Sequence, residues 1–212
     1  MSDMRMDNYL NPKTVPVVVI ENDETIERIG DICSRLLPTI EIPLRNEFAL
    51  EAIKKMKRQY PNVAIGAATI RTEKQADAAI EAGADVVISP ASPLWLLEYC
   101  SKNNLPYMPG VSSPTDVENA VTAGFKVLKF FPAALNGGTA WLNALNSVYK
   151  NFGVEWMPMG GITLDTLKGY FAVSNVRACG GSWMCPKSDI DDKNWEKIEQ
   201  LFIKNNKTLE VL

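Results

Sequence analysis

The stretch GFKVLKFFPAALNGGTAWLNALNSVYK, from Gly124 to Lys150, contains one complete unit of the pattern that repeats along this chain. Its run over 126–131 is short and apolar, as a buried strand is, and its segment over 138–150 places apolar residues every three or four positions, as an amphipathic helix does. The strand also carries one lysine, Lys129, among apolar neighbours. Because lysine is almost never fully buried without a partner, this residue needs an explanation beyond packing.

The same pattern of a strand followed by a helix occurs eight times along the chain. The predicted strands lie at 14–20, 39–44, 63–68, 85–90, 106–111, 126–131, 154–160 and 176–182. The segments between them have the apolar spacing of helices, and a final amphipathic segment predicts a C-terminal helix over about 191–206. Strict alternation of strands and helices is typical of a parallel sheet.

Eight such units in about 200 residues favour an α/β fold, a (β/α)8 TIM barrel at the compact end of its size range. We expect a single domain over residues 1–212, which begins with an N-terminal extension of about 1–13. A doubly wound open sheet is the structural alternative. It is less favoured because no GxGxxG motif follows the first strand and the sequence has no Walker loop.

Composition limits the partners of this protein. The chain has 212 residues, of which 46% are hydrophobic, and a formal net charge of −3 with both signs spread along its length. The lack of a polybasic segment argues against nucleic acid as a partner. No apolar run reaches the roughly 18 residues of a membrane span, and the polar N-terminus has no apolar signal core. We therefore expect a cytoplasmic protein without a membrane partner, whose composition is compatible with a small anionic substrate.

Two residue types limit the chemistry. The chain has no histidine, which removes the commonest general base and the commonest metal ligand. Acid–base chemistry must then come from carboxylates, lysine, tyrosine or cysteine. The cysteines show no CxxC spacing and lie in or near apolar segments, so we interpret them as reduced thiols that pack in the core. They are Cys33, Cys100, Cys179 and Cys185.

The alternation of side chains along a strand predicts where Lys129 points. If Leu128 and Phe130 face the surrounding helices, Lys129 faces the barrel interior. The same alternation in the strand at 39–44 directs Glu41 inward, and the second and sixth strands contribute to the same interior layers. Two interpretations stay open. One is a buried ion pair, which desolvation makes a weak stabilising device; the other is a Schiff-base lysine with its proton carrier, since a desolvated lysine supplies the neutral amine that attacks a carbonyl.

The residues around Lys129 resemble the Schiff-base motif of the class I aldolases of the KDPG/KHG family, which act on 2-keto-3-deoxy-6-phosphogluconate and 4-hydroxy-2-oxoglutarate. That motif is a glycine, three residues, an aliphatic residue, Lys-Phe-Phe-Pro-Ala, three residues and a glycine, and it is matched throughout from Gly124 to Gly137. The similarity covers about residues 14–186. Its further motifs are Glu41-Ile42-Pro43-Leu44-Arg45, Gly66-Ala67-Ala68-Thr69, Ile88-Ser89-Pro90, Pro109-Gly110, Gly160-Gly161-Ile162 and Gly180-Gly181-Ser182-Trp183, with Pro43 and Ala68 standing where the family has threonine and glycine.

The resemblance implies a role for each matching position. Lys129 would form the Schiff base with the 2-keto carbon, and Glu41 would be the general acid and base. Arg45 and Thr69 would hold the carboxylate of the pyruvate moiety, in keeping with the match between a guanidinium fork and a carboxylate. Two further residues would shape the wall of the pocket, Pro90 and Phe131.

Two glycine pairs have a meaning that does not depend on the resemblance. They follow the seventh and eighth predicted strands, where barrel enzymes commonly bind phosphate through exposed backbone N–H groups. Glycine lets the backbone approach an anion closely. We therefore expect a phosphate or a second carboxylate to be bound there, by Gly160, Gly161, Gly181 and Ser182.

The resemblance implies a lyase that reversibly cleaves a 2-keto-4-hydroxy acid, foremost 2-keto-3-deoxy-6-phosphogluconate, to pyruvate and glyceraldehyde 3-phosphate. No cofactor and no metal are expected, because an iminium on Lys129 would serve as the electron sink. The resemblance also implies a homotrimer.

Three alternatives stay open. The first is a 4-hydroxy-2-oxoglutarate aldolase that yields pyruvate and glyoxylate. Met159 bears on this choice, because it stands where better-known members carry threonine and its thioether cannot donate a hydrogen bond to a substrate hydroxyl. The second is a phosphosugar isomerase or epimerase on a similar barrel, in which Lys129 would act only as a positive charge. The third is a barrel that has lost catalysis and binds a keto acid.

Overall fold

Parallel strands surround a central interior in this protein, whose structure, a computed structural model, describes residues 4–212. Every pairing between the strands is parallel, as the alternation of strands and helices predicted. The strands are β1 Thr14–Pro16, β2 Thr39–Pro43, β3 Ala64–Ala68, β4 Val86–Ile88, β5 Tyr107–Met108, β6 Gly110–Val111, β7 Val127–Phe130, β8 Glu155–Pro158 and β9 Cys179–Gly181.

The strands form a ring of neighbours. Pairing runs through β2-β3-β4-β5 and through β6-β7-β8, and β1 pairs with β9. Pro109 separates β5 from β6, which are two parts of the strand predicted at 106–111. Isolated parallel bridges join the remaining neighbours, one between Val17 and Glu41 and one between Met159 and Gly180. This arrangement is the predicted (β/α)8 barrel. It differs from the doubly wound alternative, because an open sheet would have two unpaired edge strands.

Helices follow the strands around the ring. They are α1 Met4–Leu10, α2 Asp23–Leu36, α3 Ala49–Gln59, α4 Glu73–Glu81, α5 Leu94–Lys102, α6 Pro114–Thr122, α7 Gly138–Tyr149, α8 Leu164–Phe171, α9 Lys187–Asp191 and α10 Trp195–Leu209, with a 3-10 turn at Lys150–Phe152. Within residues 4–212, none of them is long and apolar enough to cross a membrane.

The C-terminal helix begins later than the sequence pattern indicates. The pattern predicts a helix over about 191–206, whereas the structure has the short helix α9 followed by α10. Between the two helices, Lys193 adopts a φ of 56°, in the left-handed region that interrupts a helix. The N-terminal extension expected over about 1–13 contains the helix α1 and a turn that leads into β1.

Two apolar layers lie on the two sides of the ring. Leu128 and Phe130 pack in the outer layer, between the strands and the helices, and Ile40 and Ile42 of β2 do the same. The inner layer fills the barrel and draws its side chains from alternate strand positions and from α1. Its buried members are Met6, Tyr9, Leu10, Val15, Ala64, Ala68, Val86, Ile88, Met108, Met157, Met159 and Ala178.

Helix α1 covers the end of the barrel at which the strands begin. Met6, Tyr9 and Leu10 are buried against the inner layer. The Thr39 hydroxyl, at the start of β2, donates a hydrogen bond of 2.9 Å to the backbone carbonyl of Tyr9. Arg177 forms ion pairs with Asp7 of α1 and with Glu155 of β8. These contacts hold α1 across the amino ends of the strands.

We predict that α10 is an integral part of the barrel domain. Phe202 of α10 is fully buried in the outer layer, so Phe202→Ala should lower the free energy of unfolding by about 3–5 kcal/mol and keep a single unfolding transition. Urea denaturation followed by circular dichroism measures this change. Phe152→Ala is the matched control, since the side chain of Phe152 is 60% exposed, and it should change the stability by at most about 0.5 kcal/mol. Equal effects of the two variants would contradict this prediction.

Candidate active site

Strands β2 and β7 bring Glu41 and Lys129 together inside the barrel. The two residues lie 88 positions apart in the sequence, and Nζ of Lys129 is 3.0 Å from Oε1 of Glu41. Their side chains are only 8% and 2% exposed, respectively. The alternation of side chains along the two strands predicted this meeting. A charge that is so well buried needs a close partner, and each of these two residues supplies one for the other.

Two aromatic residues complete the immediate surroundings of this pair. The hydroxyl of Tyr9 donates a hydrogen bond of 3.3 Å to Oε2 of Glu41. Burial, reinforced by the negative charge of Glu41, raises the pKa of the Tyr9 phenol well above its usual range, so the phenol keeps its proton. Nζ of Lys129 also lies 5.3 Å from the centre of the Phe131 ring, on which a cation is favourably placed.

A cavity of about 370 Å³ opens beside the amine, at the end of the barrel where the strands terminate. This is the end at which barrel enzymes carry their chemistry. Nine of the ten predicted site residues line the cavity. They are Glu41, Arg45, Thr69, Pro90, Lys129, Phe131, Gly160, Gly181 and Ser182.

Gly161 is the predicted site residue that does not line the cavity. It is exposed, and a Cβ on it would come within 2.6 Å of the Cβ of Ala134. The side of Gly161 on which a side chain would project therefore points toward the segment after β7 and away from the cavity. Gly160 and Gly161 have φ values of 92° and 77°, a backbone conformation that favours glycine.

Thr69 lines the cavity with a strained backbone. Its φ of 62° lies in the left-handed region, which is rare for a β-branched residue. Hydrogen bonds on both sides hold this conformation, from Leu44 N–H to Ala68 O at 2.8 Å and from Ile70 N–H to Ile88 O at 3.1 Å. Such strain clusters at functional sites, where contacts with the surrounding structure offset its energetic cost and fix the position of the side chain.

Arg45 lies on the cavity wall as an exposed cation. In the part of the chain that the structure describes, no carboxylate lies within ion-pair distance of its guanidinium. The backbone N–H of Arg45 donates to Pro43 O at 2.8 Å, which turns the chain as it leaves β2. The guanidinium is thus available to an anion that enters the cavity.

Sequence reasoning missed several residues of the cavity wall. Val17 and Val19 could have been found, because they continue the inward alternation that starts at Val15. Lys187 and Ile190 could not, because they belong to α9, whose path depends on how the chain folds back after β9. Lys187 is 59% exposed and pairs with Asp191 at 2.7 Å. The remaining lining residues outside the predicted set are Met159, Gly180 and Cys185.

Burial makes the four cysteines of this protein chemically unreactive. All four are buried and free of disulfide bonds, in agreement with the sequence analysis. Burial raises the pKa of the Cys185 thiol, the one that lines the cavity, well above its usual range. A protonated thiol is a poor nucleophile, so Cys185 serves as a packing residue of the cavity wall. Within residues 4–212, no group of three or more acidic, histidine or cysteine side chains is arranged to hold a metal ion.

Comparison with known proteins identifies relatives over almost the full length. Residues 6–201 match the profile of the family described as KDPG and KHG aldolase. A curated relative, the 2-dehydro-3-deoxy-phosphogluconate aldolase of Haemophilus influenzae, is 36% identical over 190 residues, which is 89% of this chain and 89% of that protein.

Solved structures give the same result. This chain resembles the KDPG aldolase of Legionella pneumophila, captured with pyruvate as a covalent carbinolamine intermediate, with a TM-score of 0.88 and 30% identity over 94% of this chain and 97% of that one. It also resembles the 2-keto-3-deoxy-6-phosphogluconate aldolase of Zymomonas mobilis solved with 3-phosphoglycerate. The TM-score is 0.87 and the identity 31%, over 97% of this chain and 96% of that one.

The strain at Thr69 predicts an unusual gain of stability. Thr69→Gly removes the steric cost of a positive φ, which should outweigh the greater freedom of glycine in the unfolded chain and raise the free energy of unfolding by about 1 kcal/mol. Urea denaturation measures it. Thr122→Gly, at the end of α6, is the matched control and should lower the stability by about 0.3 kcal/mol, since glycine is less favourable than threonine in a helix. A loss of stability in both variants would argue against strain at Thr69.

Proposed function

The chain belongs to the KDPG and KHG aldolase family, and we propose that it works as a class I aldolase in which Lys129 forms a Schiff base with the 2-keto group of its substrate. The observation that carries this proposal is the placement of one buried amine, 3.0 Å from a buried carboxylate, at the wall of a cavity. A simple structural ion pair would have no need of the cavity.

In the proposed reaction, the neutral amine of Lys129 attacks the C2 carbonyl carbon and forms a carbinolamine, which loses water to give an iminium. A base takes the proton of the C4 hydroxyl, the C3–C4 bond breaks, and its electron pair moves toward the iminium as the aldehyde leaves. The resulting enamine takes up a proton at C3. Water then hydrolyses the iminium and releases pyruvate and the free amine.

Each of these steps needs a group that gives and takes protons beside the amine. Glu41 is in place for that role, because its Oε1 already contacts Nζ of Lys129. Positive charge on the iminium would keep Glu41 close through the catalytic cycle. A single carboxylate can therefore serve the carbinolamine, the C4 hydroxyl and C3 in turn.

The pyruvate half of the substrate would lie between Arg45 and Thr69. The Arg45 guanidinium offers a fork of N–H donors that matches a carboxylate, and Thr69 adds a hydroxyl donor. Pro90 and Phe131 would form the walls that orient the planar iminium. Both residues line the same cavity as the amine.

The aldehyde half would extend toward the glycine loops. Backbone N–H groups near Gly160, Gly161, Gly181 and Ser182 suit a phosphate, as expected for 2-keto-3-deoxy-6-phosphogluconate and its product glyceraldehyde 3-phosphate. Lys187 adds a positive charge on the same wall. The bound 3-phosphoglycerate of the Zymomonas mobilis relative supports a phosphorylated substrate.

One observation favours a second substrate, 4-hydroxy-2-oxoglutarate. Met159 is buried at the cavity wall, and its thioether cannot donate a hydrogen bond to the additional hydroxyl of the six-carbon substrate. The shorter diacid lacks that hydroxyl and yields glyoxylate. The ratio of kcat/KM for the two substrates, measured by coupling pyruvate release to lactate dehydrogenase, decides between them.

Independence from metals is part of the proposal, because the iminium serves as the electron sink that a metal supplies in other aldolases. Activity that survives prolonged treatment with a chelator would support it. The cytoplasmic location expected from the sequence and the homotrimer implied by the resemblance are also proposals. Sedimentation at several protein concentrations tests the trimer.

Borohydride reduction tests the Schiff base directly. With pyruvate present, reduction should add the mass of a reduced pyruvate to the peptide that contains Lys129. Lys129→Met should abolish both the adduct and turnover while leaving the fold intact, because it replaces the amine with an apolar chain of similar length. Lys126→Met, on an exposed lysine three positions earlier, is the matched control and should keep both. No adduct in the natural protein would refute the proposal and favour the isomerase alternative. An adduct that persists in Lys129→Met would refute the assignment of the Schiff base to Lys129 and point to another lysine.

Removal of the proton carrier should slow turnover without preventing binding. Glu41→Gln keeps the size of the side chain but cannot exchange protons, so kcat should fall by roughly a hundredfold or more. Steady-state pyruvate release measures kcat. Glu47→Gln changes an exposed carboxylate just after β2 and should leave kcat within about twofold of the natural protein. If Glu41→Gln kept the kcat of the natural protein, the assignment of proton transfer to Glu41 would be wrong.

A further inference from the structure

Tyr9 is a buried polar residue that the proposed mechanism does not use. It belongs to α1, enters the barrel from the end opposite the cavity, and has no exposed surface. Its hydroxyl donates to Oε2 of Glu41 at 3.3 Å, while Oε1 of the same carboxylate contacts Lys129 at 3.0 Å. The two oxygens of Glu41 therefore have different partners on opposite sides. Tyr9 does not line the cavity, so it acts on the site only through Glu41.

The strand beside Glu41 leaves room for the Tyr9 ring. Gly66 of β3 is the register partner of Glu41. A Cβ on Gly66 would come within 2.7 Å of the ring and hydroxyl of Tyr9, closer than atoms can approach. The ring thus fills the space in which any other residue at position 66 would place its side chain. This arrangement brings the phenol next to the carboxylate.

Contacts of α1 fix the position of the phenol. The hydroxyl of Thr39, two residues before Glu41 on β2, donates to the backbone carbonyl of Tyr9 at 2.9 Å. Asp7 pairs with Arg177 on the outside of the barrel, and Met6 is buried in the inner layer. The strand that carries Glu41 therefore also holds the backbone of Tyr9.

The hydrogen bond has a defined direction. Burial, with the charge of Glu41, raises the pKa of the phenol well above its usual range, so the phenol donates and the carboxylate accepts. Without this hydroxyl, Oε2 would lose the one donor that the described residues provide to it. The carboxylate could then rotate away from Lys129.

We propose that Tyr9 is a positioning residue for proton transfer: its hydroxyl holds one oxygen of Glu41 so that the other faces Lys129 and the substrate. This inference rests on the roles proposed above for Lys129 and Glu41. It assigns to the N-terminal helix a part in the reaction, although the helix lies at the closed end of the barrel.

The exchange of pyruvate methyl hydrogens for deuterium tests this inference. Exchange requires only formation of the Schiff base and removal of a C3 proton, and proton NMR follows it directly. Tyr9→Phe should lower the exchange rate and kcat by about tenfold, with KM changed by less than about threefold. The yield of the borohydride adduct on Lys129 after prolonged incubation with pyruvate should stay unchanged, because slower proton transfer delays the Schiff base but leaves the amine intact.

Tyr149→Phe is the matched control. Tyr149 donates to Glu118 at 3.0 Å on an exposed face of the protein, so this variant removes the same atom from the same kind of hydrogen bond away from the site. Exchange and turnover should remain at the natural rate. A natural exchange rate in Tyr9→Phe as well would overturn the inference and leave the proposed function standing. No adduct in the natural protein would overturn both.

A double-mutant cycle separates positioning from an effect on the fold. If Tyr9 acts through Glu41, adding Tyr9→Phe to Glu41→Gln should change the exchange rate by less than about twofold, because the group to be positioned has already lost its function. A further tenfold fall in the double variant would show that Tyr9→Phe disturbs the barrel itself, and the inference would be wrong.

Discussion

The contact between Lys129 and Glu41 is the constraint on which the rest of this structure depends. Two opposite charges inside a barrel lose their hydration, and their mutual attraction repays that loss only when the geometry is good and the remaining polar atoms have partners. Here the distance is 3.0 Å, and Tyr9 supplies a donor to the second carboxylate oxygen. Apolar residues of similar volume would stabilise such an interior at least as well. A polar core of this kind is therefore better explained by chemistry than by stability.

The two ends of the barrel differ in structure: one is closed by a helix and the other carries the cavity. At the amino ends of the strands, α1 covers the interior with buried apolar side chains and an ion-pair cluster around Arg177. At the carboxyl ends, loops carry a cation, a strained threonine and glycine turns around the cavity. The amine lies between these ends and is reached from the open one. Because α1 closes the base, access to the amine is through the cavity at the carboxyl ends of the strands.

Much of this arrangement could be predicted from local pattern. Period-two alternation placed Leu128 and Phe130 outside and Lys129 inside, because successive side chains of a strand point to opposite faces. The position of Gly160 after a predicted strand also placed it on the cavity wall, since strand ends of a parallel barrel gather at one rim. Thr69 was predicted as a site residue only through the family resemblance, and it lines the same cavity. The predicted start of the C-terminal helix, at about residue 191, was wrong because Lys193, in a left-handed conformation, separates α9 from α10 within a segment whose apolar spacing looks continuous.

The sequence by itself determined the barrel, through the number of strand–helix units, and the inward lysine and glutamate, through the alternation of side chains within single strands. Only the tertiary structure decided that Tyr9 reaches Glu41, that Lys187 joins the cavity wall and that Gly161 turns away from it. These facts depend on contacts between distant segments, such as the 32 residues that separate Tyr9 from Glu41. Local periodicity carries no information about such contacts, since the packing of α1 beneath the strands and of α9 above them is settled only when the ring closes.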